Sequence, residues 1–238
     1  MADEIGDGDA ARVAAPSPTG SLVPLPPVRK VVLGSSVDGR PIVAFHIGSS
    51  KSGRPALVVG CIHGNEPAGI AIARDLVSDP TPTGESLWVM PVLNPDGLAA
   101  GSRQNARGVD LNRNFPYRWR PLTGVFDSGP HALSEPETRI ARRFILHRRP
   151  VISIWFHQHQ DLVDRSGGTV AVERSYARMV DLPLVRLPRY PGSATRWENH
   201  VMPGATAFVV ELPGGRPSPA AVERYSDAIL RLVDPASG

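Results

Sequence analysis

The stretch VVGCIHGNEPAG, residues 58–69, joins a continuous apolar run to a segment with helical spacing. An apolar run of this kind is typical of a strand buried on both faces of a sheet. The following segment EPAGIAIARDLVSD repeats its apolar residues with the period of a helix. His63 and Glu66 stand in the Gly-containing turn between the two. In α/β folds such a turn lies at the carboxyl end of a strand, where ligands bind.

The rest of the chain repeats this alternation of strands and helices. VRKVVLGSSVDGRPIVAFHIG predicts two strands joined by a turn at Asp38 and Gly39. Helix SEPETRIARRFILHR is expected to begin with a capping box from Ser134 to Glu137. Buried strands alternating with helices predict an α/β fold, with helices on both faces of one sheet. Further strands are expected in SLWVM, VISIWFH and ATAFVVELP, and a last helix in SPAAVERYSDAILRLVD.

The length of 238 residues suits a single domain. Residues 1–27 are rich in Ala, Pro, Gly and Asp, and we expect them to be disordered or loosely packed. Residues 28–238 are then expected to form the single folded domain, which would carry any active site. The N-terminal MADEIGDGDA lacks the hydrophobic core of a secretion signal. We therefore expect a cytoplasmic protein, with export by a signal missing from this sequence as the alternative.

Composition argues against several classes of partner. A formal charge of +3 with scattered Arg residues does not indicate nucleic-acid binding. Apolar stretches stay well below 18 residues, so we expect no membrane span. Cys61 is the only cysteine, which excludes disulfides and multi-cysteine zinc sites within the chain. The sequence does not predict an oligomeric state.

His63 and Glu66 supply two of the three protein ligands that a catalytic zinc needs, with a fourth position left for water. A His-x-x-Glu pair alone is weak support, because it is often a cap or a surface pair. The third ligand is expected at another strand end. In WFHQHQ, His157 ends the strand pattern and His159 follows two residues later, so spacing leaves both open.

Six motifs together resemble the zinc carboxypeptidase family. They are HGNE at 63–66, NPDG at 94–97, RQNARGVDLNRNFP at 103–116, SEPET at 134–138, SIWFH at 153–157 and FVVELP at 208–213. The resemblance implies a single-domain fold with a mixed central β-sheet, Zn²⁺ as cofactor and a small peptide as substrate. It is strongest to the small bacterial branch that includes murein peptide amidases.

The resemblance also implies roles for individual residues. His157, rather than His159, joins His63 and Glu66 as a zinc ligand. Glu211 takes the place of the general base. The remaining expected roles are polarisation of the scissile carbonyl by Arg103, binding of the substrate's terminal carboxylate by Asn112 and Arg113, and a mobile tyrosine at Tyr190.

Several other residues have weaker expectations. Asp110 is expected to anchor the loop that carries Asn112 and Arg113. NPDG at 94–97 is expected to be a tight turn that shapes the site. His159 and Gln160 are candidates for substrate contacts. Trp197 and Glu198 are expected in the loop before the last strand, as candidates for lining a specificity pocket.

Three functions follow as hypotheses. The first is a zinc-dependent peptidase or amidase that cuts an amide next to a carboxylate-bearing residue. The expected target is the γ-D-glutamyl–diaminopimelate bond of peptidoglycan peptides. The second is a deacylase of the aspartoacylase and succinylglutamate desuccinylase kind, acting on N-acyl amino acids. The third is a zinc-binding scaffold without catalysis, against which the presence of Glu211 argues.

Overall fold

The computed structural model describes residues 28–48, 55–78, 80 and 86–233. The expectation for residues 1–27 lies outside these ranges. Within them the chain forms one eight-stranded sheet: β1 Arg29–Ser35, β2 Pro41–Gly48, β3 Ala56–Val59, β4 Ser86–Met90, β5 Ile152–Gln158, β6 Leu162–Asp164, β7 Leu184–Val185 and β8 Thr206–Leu212. The helices are α1 Gly69–Ser78, α2 Pro95–Ala100, α3 Pro136–Arg148, α4 Val170–Met179, α5 Ala194–Val201 and α6 Pro219–Val233.

The sheet is mixed, as the family resemblance implies, with strand order β1-β2-β4-β3-β5-β8-β6-β7. Strands β4, β3, β5 and β8 run parallel, and antiparallel strands flank this centre on both sides. From β3 the chain moves to β4 on one side, and later returns to β5 on the other. The carboxyl ends of β3 and β5 therefore border a topological switch point, where α/β sheets form their ligand crevices.

Two hydrophobic clusters cover the two faces of this sheet. In β3, Leu57 and Val59 belong to one cluster, while Ala56 and Val58 belong to the other. The first cluster also contains buried side chains of α3 and α5, and the second contains those of α1, α4 and α6. Burial on both faces explains why the central strands read as unbroken apolar runs.

Two local predictions differ from the structure. No capping box forms at the start of α3: Glu135 occupies the N-cap position, and Glu137 accepts a hydrogen bond from the backbone of Val37 instead. The NPDG motif is more than a tight turn, because Asn94 caps α2 by accepting a hydrogen bond from the backbone N–H of Gly97 at 2.9 Å.

In the parts of the chain that the structure describes, no helix is both long enough and apolar enough to cross a bilayer.

Candidate metal centre

Three side chains from two segments meet at the carboxyl ends of β3 and β5. The Nδ1 atom of His63 lies 3.0 Å from Oε2 of Glu66, and Nδ1 of His157 lies 2.9 Å from the same oxygen. The two Nδ1 atoms are 3.1 Å apart. All three side chains are buried. These atoms form a nearly equilateral triangle of potential metal ligands.

Asp110 fixes the tautomer of one of these histidines. Its Oδ1 lies 3.0 Å from Nε2 of His63, so Nε2 carries the proton and Nδ1 presents a lone pair. That lone pair faces Nδ1 of His157 and a carboxylate oxygen of Glu66. A shared cation removes the repulsion between such electron-rich atoms. Tetrahedral zinc with ligand bonds of about 2.0–2.2 Å would space its ligand atoms roughly 3.3–3.6 Å apart. The three atoms here are 2.9–3.1 Å apart, so they would need to separate by only about half an ångström to hold it.

Electrostatics keep the carboxylates of this centre ionised. Burial by itself raises the pKa of Glu66, but its close contacts with His157 and His63 outweigh burial and hold that pKa well below its usual range. The pKa of Asp110 is likewise lowered, because the contact with His63 and the charge of Arg103 outweigh burial. Both groups are therefore anionic at neutral pH, which is the state that a divalent cation requires.

Glu211 stands beside the triangle because β8 pairs with β5 in parallel. The register places Glu211 directly opposite His157. The side chain is buried, and its Oε2 has no hydrogen-bond partner in the described residues. Burial raises the pKa of Glu211, and the interaction with the neighbouring His157 only partly offsets this. A buried carboxylate with a free oxygen and a raised pKa is suited to exchanging a proton.

A loop with a 3₁₀ turn at Leu111–Arg113 presents further polar side chains to the same cavity. Asp110 accepts the backbone N–H of Asn112 at 2.9 Å, so it does anchor this loop. The side-chain oxygen of Asn112 accepts a hydrogen bond from the backbone N–H of Ala194 at 2.9 Å, which joins the loop to α5.

Two arginines stand beside the metal ligands. Arg103 donates to Glu66 at 2.8 Å and to Asp110 at 2.9 Å. Arg113 is buried, and its Nε has no hydrogen-bond partner in the described residues. Burial lowers the pKa of Arg113. Its Nη1 donates to the backbone carbonyl of Asn112 at 2.7 Å, so the buried guanidinium is only partly satisfied. It is therefore well suited to receive a carboxylate in a two-pronged hydrogen bond.

Two aromatic rings lie over these arginines at the mouth of the cavity. The guanidinium carbon of Arg113 is 4.3 Å from the ring centre of Tyr190 and 5.3 Å from that of Phe126. Arg103 also lies over Phe126, at 5.4 Å. Both rings are partly exposed, at 44% for Tyr190 and 41% for Phe126. They cover the arginines while remaining open to solvent on one side.

One cavity of about 270 Å³ brings together all the residues for which the family resemblance implies a role. Its lining includes His63, Glu66, Arg103, Asn112, Arg113, His157, Tyr190 and Glu211.

Other expectations about the cavity are corrected. Gln160 lines it, but His159 does not. Trp197 and Glu198 are buried in helix α5 rather than exposed in a loop, and their neighbours Thr195 and Arg196 line the cavity instead. A helix displays successive residues in different directions, so assigning the segment to a loop selected the wrong pair.

Phe126, Asp164 and Arg189 also line the cavity, and sequence reasoning missed them. Phe126 lies in a second 3₁₀ turn, Gly124–Phe126, and the other two belong to the segment between β5 and β8. Their positions depend on how loops fold back over the sheet edge. The charged pair Asp164 and Arg189 was the one signal in the sequence that could have drawn attention to this region.

Comparison with known proteins agrees with this geometry. A family model described as zinc carboxypeptidase matches residues 26–169. Murein peptide amidase A of Vibrio campbellii is 32% identical over 221 residues, covering 84% of this chain and 85% of the relative. Its counterpart in Escherichia coli K12 is 31% identical over 180 residues, covering 69% and 74%.

Solved structures show the same fold. The murein-tripeptide amidase of Escherichia coli O157 superposes with a TM-score of 0.70 and 28% identity, covering 91% of this chain and 96% of the other. Carboxypeptidase A of Helicoverpa armigera gives a TM-score of 0.71 at 21% identity, covering 85% of this chain and 66% of that one. At that identity the second similarity supports the fold alone.

Proposed function

The chain belongs to the zinc carboxypeptidase family, and from this premise we propose that it hydrolyses the γ-D-glutamyl–diaminopimelate amide of peptidoglycan peptides. The chain is a zinc-dependent hydrolase of the peptidase and amidase kind. The named bond is inferred from its likeness to murein peptide amidases. These similarities favour an amidase over the deacylase and over the scaffold without catalysis.

The observation that carries the proposal is the triangle of His63, Glu66 and His157 beside the free oxygen of Glu211. The first three residues would hold Zn²⁺. When bound there, Zn²⁺ supplies a Lewis acid and lowers the pKa of water to about 7. The donor set of two imidazoles and one carboxylate is one that catalytic zinc sites use.

The protein's own groups account for the proton transfers and for substrate binding. Glu211 accepts a proton from the attacking water and returns it to the nitrogen of the leaving amino group. Arg103 donates to the carbonyl oxygen as negative charge develops there. Arg113 and Asn112 bind the free carboxylate of the released residue, with the guanidinium fork matching the planar carboxylate. Net hydrolysis consumes one water and yields one carboxylate and one amine.

Tyr190 is proposed to close over the bound C-terminal residue. Its ring already stacks on Arg113 and is exposed at the cavity mouth. A ligand carboxylate at Arg113 would therefore lie next to this ring. Such a cover excludes water from the charged contacts and strengthens them.

A substrate panel tests the proposal. Zinc-loaded protein is incubated with L-alanyl-γ-D-glutamyl-meso-diaminopimelate, with an ordinary α-linked tripeptide and with N-succinyl and N-acetyl amino acids, and products are read by mass spectrometry. We expect release of diaminopimelate. Cleavage of the N-acyl amino acids alone would instead support the deacylase, and no cleavage by zinc-loaded protein would refute the amidase.

Glu211→Gln is the matched variant for the chemical step. Glutamine keeps the size of the side chain but cannot accept the proton, so we expect turnover to fall by about 100- to 10,000-fold. Zinc content should remain at the level of the parent, as measured by elemental analysis. Full activity with normal zinc content would show that Glu211 is not the base.

A further inference from the structure

The cavity contains a second pair of cationic side chains besides Arg103 and Arg113. Arg189 and Arg196 line it as well, from the segment before α5 and from α5 itself. The proposed chemistry uses neither of them. Whether each has an anionic partner within the protein decides which of the two is available to a ligand.

Arg189 is already neutralised. Its Nη1 lies 2.8 Å and 3.2 Å from the two carboxylate oxygens of Asp164. Asp164 is buried, and it also accepts hydrogen bonds from Ser166 at 2.7 Å and from the backbone N–H of Leu187 at 2.9 Å. The hydrogen bonds of this carboxylate are therefore all made within its own loop, and Arg189 neutralises its negative charge.

Arg196 has no such partner. Its one hydrogen bond within the described residues goes to the backbone carbonyl of Tyr190, at 3.0 Å. No carboxylate of those residues forms an ion pair with it. Its guanidinium carbon lies 5.5 Å from the ring centre of Tyr117, which supports the side chain from one side. Burial and then the charge of Arg118 lower the pKa of Arg196, so its electrostatic surroundings are positive.

A cation that is partly buried, held in place by a ring and a carbonyl and left without an anion is suited to bind one. On this basis we propose that Arg196 receives a second carboxylate, carried on the far end of the side chain of the residue that cleavage releases. The inference rests on the proposed function, and it names the feature that selects the substrate.

Diaminopimelate has the chemistry that this arrangement would recognise. It carries an amino-carboxylate group at both ends, so one carboxylate reaches Arg113 and Asn112 while the other reaches Arg196. Lysine has a side chain of the same length with an ammonium group and no carboxylate at its end. In the lysine peptide, Arg196 keeps its charge unpaired and faces a second cation, which disfavours binding.

The test compares two tripeptides that differ only in this carboxylate. We measure kcat/KM of the zinc-loaded full chain for L-alanyl-γ-D-glutamyl-meso-diaminopimelate and for L-alanyl-γ-D-glutamyl-L-lysine. The parent should prefer the first. Arg196→Gln should reduce the ratio of the two values by about 10- to 100-fold, as for loss of one charge-assisted hydrogen bond. Most of the change should appear in KM, because this contact lies away from the reacting atoms.

Arg118→Gln is the matched control. Arg118 is an exposed neighbour of Arg196 that does not line the cavity. Its replacement removes the same charge from the same region, and it should leave the ratio unchanged. Arg196→Lys keeps the charge but loses the fork, and it should retain an intermediate ratio. Zinc content and thermal unfolding establish that each variant is folded.

The outcomes separate this inference from the proposed function. If folded Arg196→Gln keeps the parent's ratio of kcat/KM for the two tripeptides, the inference is overturned and the amidase activity stands. The same conclusion follows if Arg118→Gln lowers this ratio as much as Arg196→Gln does. If the zinc-loaded parent cleaves neither tripeptide, the proposed function fails and the inference fails with it. If Arg196→Gln does not fold, two other measurements decide. The inference is overturned if folded Arg196→Lys keeps the ratio of the parent and if free diaminopimelate and free lysine inhibit the parent equally.

Discussion

At the scale of single residues, the centre depends on a carboxylate that does not itself join the triangle of ligands. Asp110 contacts His63 at 3.0 Å and Arg103 at 2.9 Å, and it also accepts the backbone N–H of Asn112. One side chain thus orients a metal ligand, positions the arginine and shapes the substrate-binding loop. The motif DLNRN can be short because Asp110 makes all three of these contacts.

Asp110→Asn should weaken zinc binding by about 10- to 100-fold, as measured by competition with a chelator of known affinity. The amide cannot accept from all three donors, so His63 loses its fixed tautomer. The matched control is Asp96→Asn. Asp96 is equally buried and bonds to Ser36 and Arg40, away from the ligands, so this variant should lose stability but keep zinc affinity. Equal zinc affinity in the two variants would contradict the role given to Asp110.

Glu198 predicts a pH dependence of stability. Burial raises its pKa from 4.5 to about 7, although the indole N–H of Trp155 donates to it at 3.2 Å. Between about pH 4.5 and pH 7 the folded protein holds a proton here that the unfolded chain has lost. The free energy of unfolding therefore falls as pH rises through this window.

Glu198→Gln should remove this penalty. At pH 8 the variant should be more stable than the parent by about 3 kcal/mol, and the difference should shrink toward zero below pH 4.5. Denaturant unfolding of both proteins at several pH values measures it, and the comparison cancels any contribution of zinc that they share. A difference that does not change with pH would mean that Glu198 does not titrate in this range.

At the scale of elements, the loop between β3 and α1 places both nearby ligands because it packs closely against α2. A Cβ atom on Gly64 would lie 1.9 Å from the backbone carbon of Gly97 and 2.2 Å from the backbone nitrogen of Leu98. These are backbone atoms that cannot rotate away. The glycine between His63 and Asn65 is therefore required by contact between two elements.

Gly64→Ala should lower the free energy of unfolding by about 1–3 kcal/mol, or more if the loop cannot shift. It should also reduce zinc affinity at least tenfold, because any shift moves His63 and Glu66 relative to His157. Gly214→Ala is the control. A Cβ there meets only His159 at 3.7 Å, an ordinary contact, so both properties should stay close to those of the parent. Chelator competition and denaturant unfolding provide the two measurements.

At the scale of the whole molecule, the central strands and their polar ends could be predicted from the sequence. Strands buried on both faces give apolar runs, and such runs end where the cavity begins, which identified His63, His157 and Glu211 as neighbours. The short strands β6 and β7, at one end of the sheet, and the helices α4 and α5 were not predicted. They have two to ten residues and are held by tertiary packing rather than by local pattern.

The same reasoning explains which parts of the site sequence patterns missed. Arg196 and Glu198 are two residues apart on α5, yet one lines the cavity and the other is buried in the core. Their difference arises from the rotation of one short helix against the sheet. Similarly, Phe126 reaches Arg103 and Arg113 only because its loop folds back over the cavity. Both placements depend on contacts between distant segments, for which a single sequence carries no periodic signal.

The metal should also act on the molecule as a whole, because its ligands come from strand ends that are 94 positions apart in the chain. Zinc that binds only the folded form at 1,000 times its dissociation constant adds about 4 kcal/mol to stability. For a chain of this size that corresponds to a rise in Tm of roughly 8–16 °C. Differential scanning calorimetry of chelator-treated and zinc-loaded protein measures the rise.

His157→Ala should reduce this rise in Tm to a small fraction, because only the adjacent pair His63 and Glu66 remains. If the parent and this variant show equal shifts, zinc stabilises the fold at some other place and the triangle is not its site.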